Sequence, residues 1–172
     1  MFRIFLTNLG KYNEGALVGE WVDLPCDDFD AVYERIGINF DEPIDGIWYE
    51  ETFITDYEND YGIEVHEYDN LERLNELAER LEDCDEDIIN GIMSQCYDIE
   101  EALDIYEDGR YMHYGGCHTV AELVEMIYED DGRLNEITKY IPEYAIDWDA
   151  IARDWESCGT YVELDDGVLE IW

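Results

Sequence analysis

Asp and Glu supply 47 of the 172 residues, and Lys and Arg only nine, so the chain carries a formal net charge of -38. No other feature constrains its folding as strongly. Like charges repel, and repulsion on this scale opposes any compact state. Two settings relieve it: high salt, or a basic partner that normally grips a polyanion. The charge is not confined to a tail. Residues 1–62 hold 15 acids and 3 bases, residues 63–108 hold 17 and 2, and residues 109–172 hold 15 and 4. Acidic tails gather charge in blocks and stay disordered, whereas here the acids are interleaved with apolar periodicity. Hydrophobic residues make up 47% of the chain and aromatics 14%, including 14 Tyr and 5 Trp. Disordered acidic chains lack that content. The length suits one domain or several small modules in a row.

The pattern predicts an α+β fold in three modules. Residues 1–62 read as a mixed α/β module. Phe2 to Leu6 is a short strand, Asn8 to Gly15 a loop, and Leu17 to Leu24 a second strand stopped by Pro25. Asp27 or Asp28 caps a helix carrying Val32, Tyr33 and Ile36, ended by Gly37. Ile47 to Ile54 reads as a third strand.

Residues 63–108 read as a helical module. Leu71, Leu74, Leu77, Ala78 and Leu81 share one helical face, and Ile88, Ile89, Ile92, Met93 and Cys96 repeat the pattern. Asp98 with Glu101 opens a third helix carrying Ala102, Leu103 and Tyr106. Residues 109–172 return to mixed α/β. Tyr111 to Tyr114 is a strand, Thr119 with Glu122 opens a helix, and Asp147 caps another over Trp148 to Glu156, with Ile151 and Trp155 inward. Thr160 to Leu164 and Val168 to Trp172 flank Asp165-Asp166-Gly167, a hairpin signal.

Chemistry-bearing motifs are sparse. With so many acids, a pair of carboxylates at catalytic spacing carries no information. Asp83, Asp85 and Asp87 hold the first three ligand positions of a calcium loop, but Ile88 stands where glycine is needed and Ser94 where a bidentate Glu is needed. Asp56, Glu58, Asp60 and Glu67 come near the same pattern, with Gly62 one place late. His66, His113 and His118 match no zinc spacing with the cysteines. Cys26, Cys84, Cys96, Cys117 and Cys158 form no CxxC pair, and the apolar stretch Phe2 to Leu9 is too short for a leader. Reduced thiols in a cytoplasmic protein are expected, with no membrane span. No nucleophile elbow, phosphate loop or dinucleotide fingerprint is present. No catalytic, cofactor-binding or metal-binding residue is therefore expected, and the chain does not read as an enzyme.

Direct binding of nucleic acid is opposed by the sign of the charge, because DNA binders neutralise phosphates with Lys and Arg. The chain instead presents what DNA presents. B-DNA carries about one negative charge per 1.7 Å, so two copies of this chain would match the phosphates of roughly 38 base pairs. Glu72, Glu76, Glu79, Glu82 and Glu86 recur at spacings of three or four with only Arg73 and Arg80 nearby. With Asp83, Asp85, Asp87, Glu100, Glu101, Asp104, Glu122, Glu125 and Glu129 they are the expected partner-binding surface. A halophile-type acidic protein and a calcium-binding module are the alternatives on composition.

Two stretches go beyond composition. Asn8-Leu9-Gly10-Lys11-Tyr12-Asn13-Glu14-Gly15, then Leu17, Gly19 and Trp21, resembles the N-terminal signature of the ArdA antirestriction family. Asp147-Trp148-Asp149-Ala150-Ile151-Ala152-Arg153-Asp154-Trp155-Glu156, followed by Gly159 and Tyr161, is similar to that family's C-terminal helix and following strand. The resemblance implies an elongated three-module homodimer that mimics B-form DNA. It further implies occupation of the DNA-binding groove of type I restriction-modification enzymes, in the service of incoming mobile DNA. Within the first stretch, Gly10, Asn13 and Gly15 are expected to shape a turn, Lys11 to pair with a nearby acid, and Tyr12 and Trp21 to pack. Arg153 and Asp154 are read as structural.

Overall fold

A computed structural model describes residues 1–44 and 46–172, with all their side chains except those of Asp41 and Glu42. The fold is mixed α/β, as expected. The chain divides into two compact units, Met1–Asp83 and Cys84–Trp172.

The first unit is built on β1 (Phe2–Asn8), flanked antiparallel by β2 (Gly19–Asp23) and β5 (Thr52–Asn59). Side chains alternate across a strand. Phe2, Ile4 and Leu6 therefore point to one face, and all three are buried with Val22 and Ile54. Thr7 and Asn8 are also buried, and their polar atoms are satisfied: Thr7 Oγ1 lies 2.8 Å from Thr55 Oγ1. α1 (Leu9–Asn13) follows β1 directly, where the sequence reads as a loop. α2 (Phe29–Arg35) is capped by Asp28, whose carboxylate accepts from Ala31 N at 2.9 Å. It buries Val32, and Ile36 and Ile38 are buried just beyond its end.

The expected strand Ile47 to Ile54 is in fact two strands in two sheets. β4 (Ile47–Tyr49) pairs with β3 (Asn39–Ile44) as a separate ribbon, and the chain breaks at the exposed Glu50 and Glu51 before β5 begins. α3 (Leu71–Glu82) completes this unit. Leu74, Leu77, Ala78 and Leu81 are buried at helical spacing, each leucine contributing about 1.5–3 kcal/mol. Asn75 Oδ1 accepts from Cys26 N at 2.6 Å and so ties the helix to the chain beyond β2.

The second unit carries α4 (Glu86–Met93) and α5 (Ile99–Glu107), then β6 (Tyr111–Gly115), α6 (Val120–Asp130), α7 (Arg133–Ile137), a 3-10 turn Glu143–Ala145, α8 (Trp148–Glu156), β7 (Thr160–Glu163) and β8 (Gly167–Ile171). β8 is central between β6 and β7, all antiparallel. Helices cover both faces of this sheet. A Cβ added at Gly91 of α4 would lie 3.0 Å from Leu164 and 3.3 Å from Leu169, so α4 packs tightly on one face. On the other, Val168 joins Val120, Leu123 and Val124 of α6 and Ala152 of α8, with Trp148, Ile151 and Trp155 packed against them. This explains why Val168 and Leu169, successive residues pointing to opposite faces, are both buried.

The hairpin at Asp165-Asp166-Gly167 forms as expected, with Leu164 N donating to Gly167 O at 2.7 Å. Glycine is required there for space. A Cβ at Gly167 would lie 2.5 Å from Tyr114 O on the neighbouring strand.

Candidate partner-binding surface

The first signature stretch is a structural clasp centred on Asn8. Its Oδ1 accepts from Lys11 N at 2.9 Å and caps α1, while Nδ2 donates to Ile36 O at 3.1 Å and Gly37 O at 3.2 Å. One fully buried amide thus joins β1, α1 and the end of α2. Gly10 lets α1 lie on the ribbon, because a Cβ would meet the buried Tyr49 ring at 2.6 Å. Lys11 pairs locally, as expected. Its Nζ donates to Tyr49 Oη at 2.7 Å and lies 3.4 Å from Glu14 Oε2, and Tyr49 Oη donates to Glu14 Oε1 at 2.7 Å. The Tyr49 hydrogen bond is the main cause that raises the Lys11 ammonium and lowers the Glu14 carboxyl from their ordinary values. Tyr12 and Trp21 pack only in part. Both make ring contacts, Tyr12 with Phe53 and Trp21 with Phe5, yet Tyr12 stays 51% exposed and Trp21 37%.

None of the described acids is buried, and among them only Glu20, Asp69, Glu125 and Glu170 are half-buried rather than exposed. The predicted surface residues follow this rule. On α3, Glu72, Glu76, Glu79 and Glu82 are exposed opposite the buried leucines, and Asp83 ends the helix. Asp85 caps α4, accepting from Asp87 N and Ile88 N, so it serves as a helix cap rather than as part of a calcium loop. Glu86 and Asp87 occupy that helix's first turn, and Glu100, Glu101 and Asp104 line the open side of α5. On α6, Glu122 and Glu129 are exposed and Glu125 is half-buried.

Two of these acids also have local work. Glu101 accepts from Tyr97 N at 2.9 Å and Glu122 from His118 N at 2.7 Å. In both helix starts the Glu reaches the residue before the cap rather than the cap itself. The sequence reading left α8 out of this surface, although Asp149, Asp154 and Glu156 are all exposed. The helical spacing of Asp149 and Glu156 opposite Ile151 and Trp155 was the signal available.

Where the acids sit is more telling than their number. A helix C-terminus carries partial negative charge and favours Lys or Arg. Here α3 ends in Glu82-Asp83, α5 in Glu107-Asp108 and α6 in Asp130-Asp131. Each such acid is disfavoured there relative to a neutral or basic residue. Asp131 recovers part of this: the Arg133 backbone N–H, then its guanidinium, holds the carboxyl below its ordinary value. Among the described residues no group of three or more His, Cys, Asp or Glu is arranged to hold a metal ion. No helix among them is long and apolar enough to cross a membrane. Burial pushes the Cys96 and Cys117 thiols up.

The chemistry concentrated in this chain is therefore charge display: exposed carboxylates carried on helices, including at positions that stability alone disfavours. A family model described as antirestriction protein (ArdA) matches residues 4–170. The chain belongs to the ArdA antirestriction family, whose members inhibit restriction and interact with restriction-modification enzymes. No individual curated protein matches it.

Proposed function

We propose that this protein mimics B-form DNA and competes for the DNA-binding groove of type I restriction-modification enzymes, in the cytoplasm, as a homodimer, sparing incoming mobile DNA. The observation that carries this reading is the placement of exposed acids at the C-terminal ends of α3, α5 and α6. Such residues disfavour the helix, so they fit a second requirement better than stability alone. A groove lined with Lys and Arg to hold phosphates supplies that requirement. The expected contacts are the acids of α3, α4, α5 and α6 named above, acting together rather than through one dominant residue. The mixed, helical and mixed segments 1–62, 63–108 and 109–172 are the stretches along which this charge would be read.

The test is competition between the protein and duplex DNA for a purified type I methyltransferase. The apparent inhibition constant should rise in proportion to DNA concentration and weaken steeply with salt. An inhibition constant indifferent to DNA concentration overturns the reading.

A further inference from the structure

The large apolar signature residues left exposed line one groove. Tyr12, Leu17 and Trp21, with Phe5 and Phe53, surround a cleft of about 480 Å³ on the face of the first sheet opposite Ile4 and Leu6. Leu17 is 66% exposed, and nothing in the clasp around Asn8 requires Leu17, Tyr12 or Trp21 to face water. Asp56 and Glu67 stand at the rim, and Asp56 lies across from Phe5 in the β1–β5 register.

We propose that this groove takes an arginine-bearing segment of the partner enzyme, a proposal that rests on the DNA-mimic reading above. Three facts favour that occupant. Aromatic rings beside carboxylates suit a guanidinium, which stacks on ring faces while donating to oxygens. The same sheet face already holds one such pair: the Arg3 guanidinium sits 4.6 Å from the Trp21 ring centroid and donates to Glu58 Oε2 at 2.9 and 2.5 Å. A nucleic acid would bring more negative charge to a molecule already at -38, whereas a DNA-binding groove brings arginines. The groove would then supply what smeared charge does not. Exposed ion pairs are individually weak and screened by salt, while aromatic and arginine contacts in a desolvated pocket dominate binding energies.

The experiment compares the protein with a Tyr12→Ser/Leu17→Ser variant for binding to a purified type I methyltransferase across a salt series. Net charge is unchanged by the substitutions. The Kd should rise at least tenfold with the salt slope unaltered, while Tyr97→Ser, at a 95% exposed site elsewhere, leaves both unchanged. A thermal melt checks folding. A second readout is made on the unsubstituted groove: with 5-fluorotryptophan incorporated, the Trp21 resonance, identified by its absence from a Trp21→Phe variant, should shift when the enzyme binds. Equal affinity of the Ser variant together with an unmoved Trp21 resonance overturns the groove and leaves the mimic standing. A tenfold loss and a moved resonance in a complex that duplex DNA fails to displace support the groove and overturn the mimic. A Trp21 resonance that moves with protein concentration alone places a second copy in the groove and overturns the assignment.

Discussion

Asn8 shows how much a single side chain can hold in a protein with little apolar surplus. It is fully buried, and its amide both donates and accepts. Asn8→Asp keeps the shape and the acceptor for Lys11 N, but sets a carboxylate oxygen against the Ile36 and Gly37 carbonyls in place of two donated hydrogen bonds. Losing a bond to a buried group costs about 1–3 kcal/mol, so urea unfolding should show the variant about 2–5 kcal/mol less stable at neutral pH. Protonation restores a donor, so the deficit should shrink as pH falls, opposite to the acid lability expected of a stabilising carboxylate. A second residue-scale test lies at Glu170, which accepts from Tyr114 Oη at 3.0 Å and Tyr161 Oη at 2.9 Å. Burial, then the Glu170 hydrogen bond, pushes the Tyr161 phenol up to about 12, and the same causes raise Tyr114. The folded state therefore holds these protons more tightly than the unfolded chain does. Their contribution is complete below pH 10 and is lost as pH climbs from about 10 towards 12. Tyr161→Phe should flatten the alkaline loss of stability followed by circular dichroism over that window.

At the scale of elements, charge and helix stability pull against each other. Glu82→Lys at the end of α3 and Asp130→Lys at the end of α6 should each stabilise by about 0.3–1 kcal/mol, through the helix dipole and relief of repulsion. Because inhibition is a sum over many contacts, either substitution alone should weaken it only slightly, and a melting temperature and an inhibition constant measured on each variant check both directions. Most helices were legible in the sequence. α3 to α6 and α8 declare themselves by apolar spacing, and α5, α6 and α8 also by caps at Asp98, Thr119 and Asp147, which the structure uses; it adds caps at Asn70 and Asp85 that the sequence reading did not assign. What escaped lacked a local signal. α1 is five residues long and is held by Asn8 and the packing of Gly10 on Tyr49, contacts that sequence spacing does not show. α7 follows Gly132 with no side-chain cap. β3 contains two acids and Pro43, which disfavour a central strand and are tolerated in a two-stranded ribbon. The run Ile47 to Ile54 is apolar on both sides of Glu50-Glu51, and nothing in it says that the halves join different sheets. The expected acidic surface was legible because exposure follows from the position of each acid opposite a buried stripe. The aromatic groove was not, because exposed and packed aromatics look alike in a sequence.

For the whole molecule, self-repulsion of -38 charges should be visible in salt. The Debye length shrinks from about 30 Å at 0.01 M to about 10 Å at 0.1 M, so the melting temperature should rise over that range. A flat response would show that the repulsion is offset within the fold. The distribution of function follows from the same field. Inhibition carried by a sum of exposed contacts, each about 0.2–1 kcal/mol, has no single point of failure. Glu76→Gln, Glu79→Gln or Asp87→Asn alone should leave antirestriction nearly intact, since each side chain is exposed and none is a helix cap. Neutralising ten or more acids across α3 to α6 should weaken inhibition stepwise and flatten its salt dependence, because fewer counter-charges on the enzyme are engaged. Such variants should also melt higher, having lost repulsion, and this separates weakened binding from lost folding. The measurement is an inhibition titration over a graded series of substitutions, with a melt at each step. One carboxylate whose removal alone abolishes inhibition in a folded protein would place the function at a discrete site and end the distributed reading.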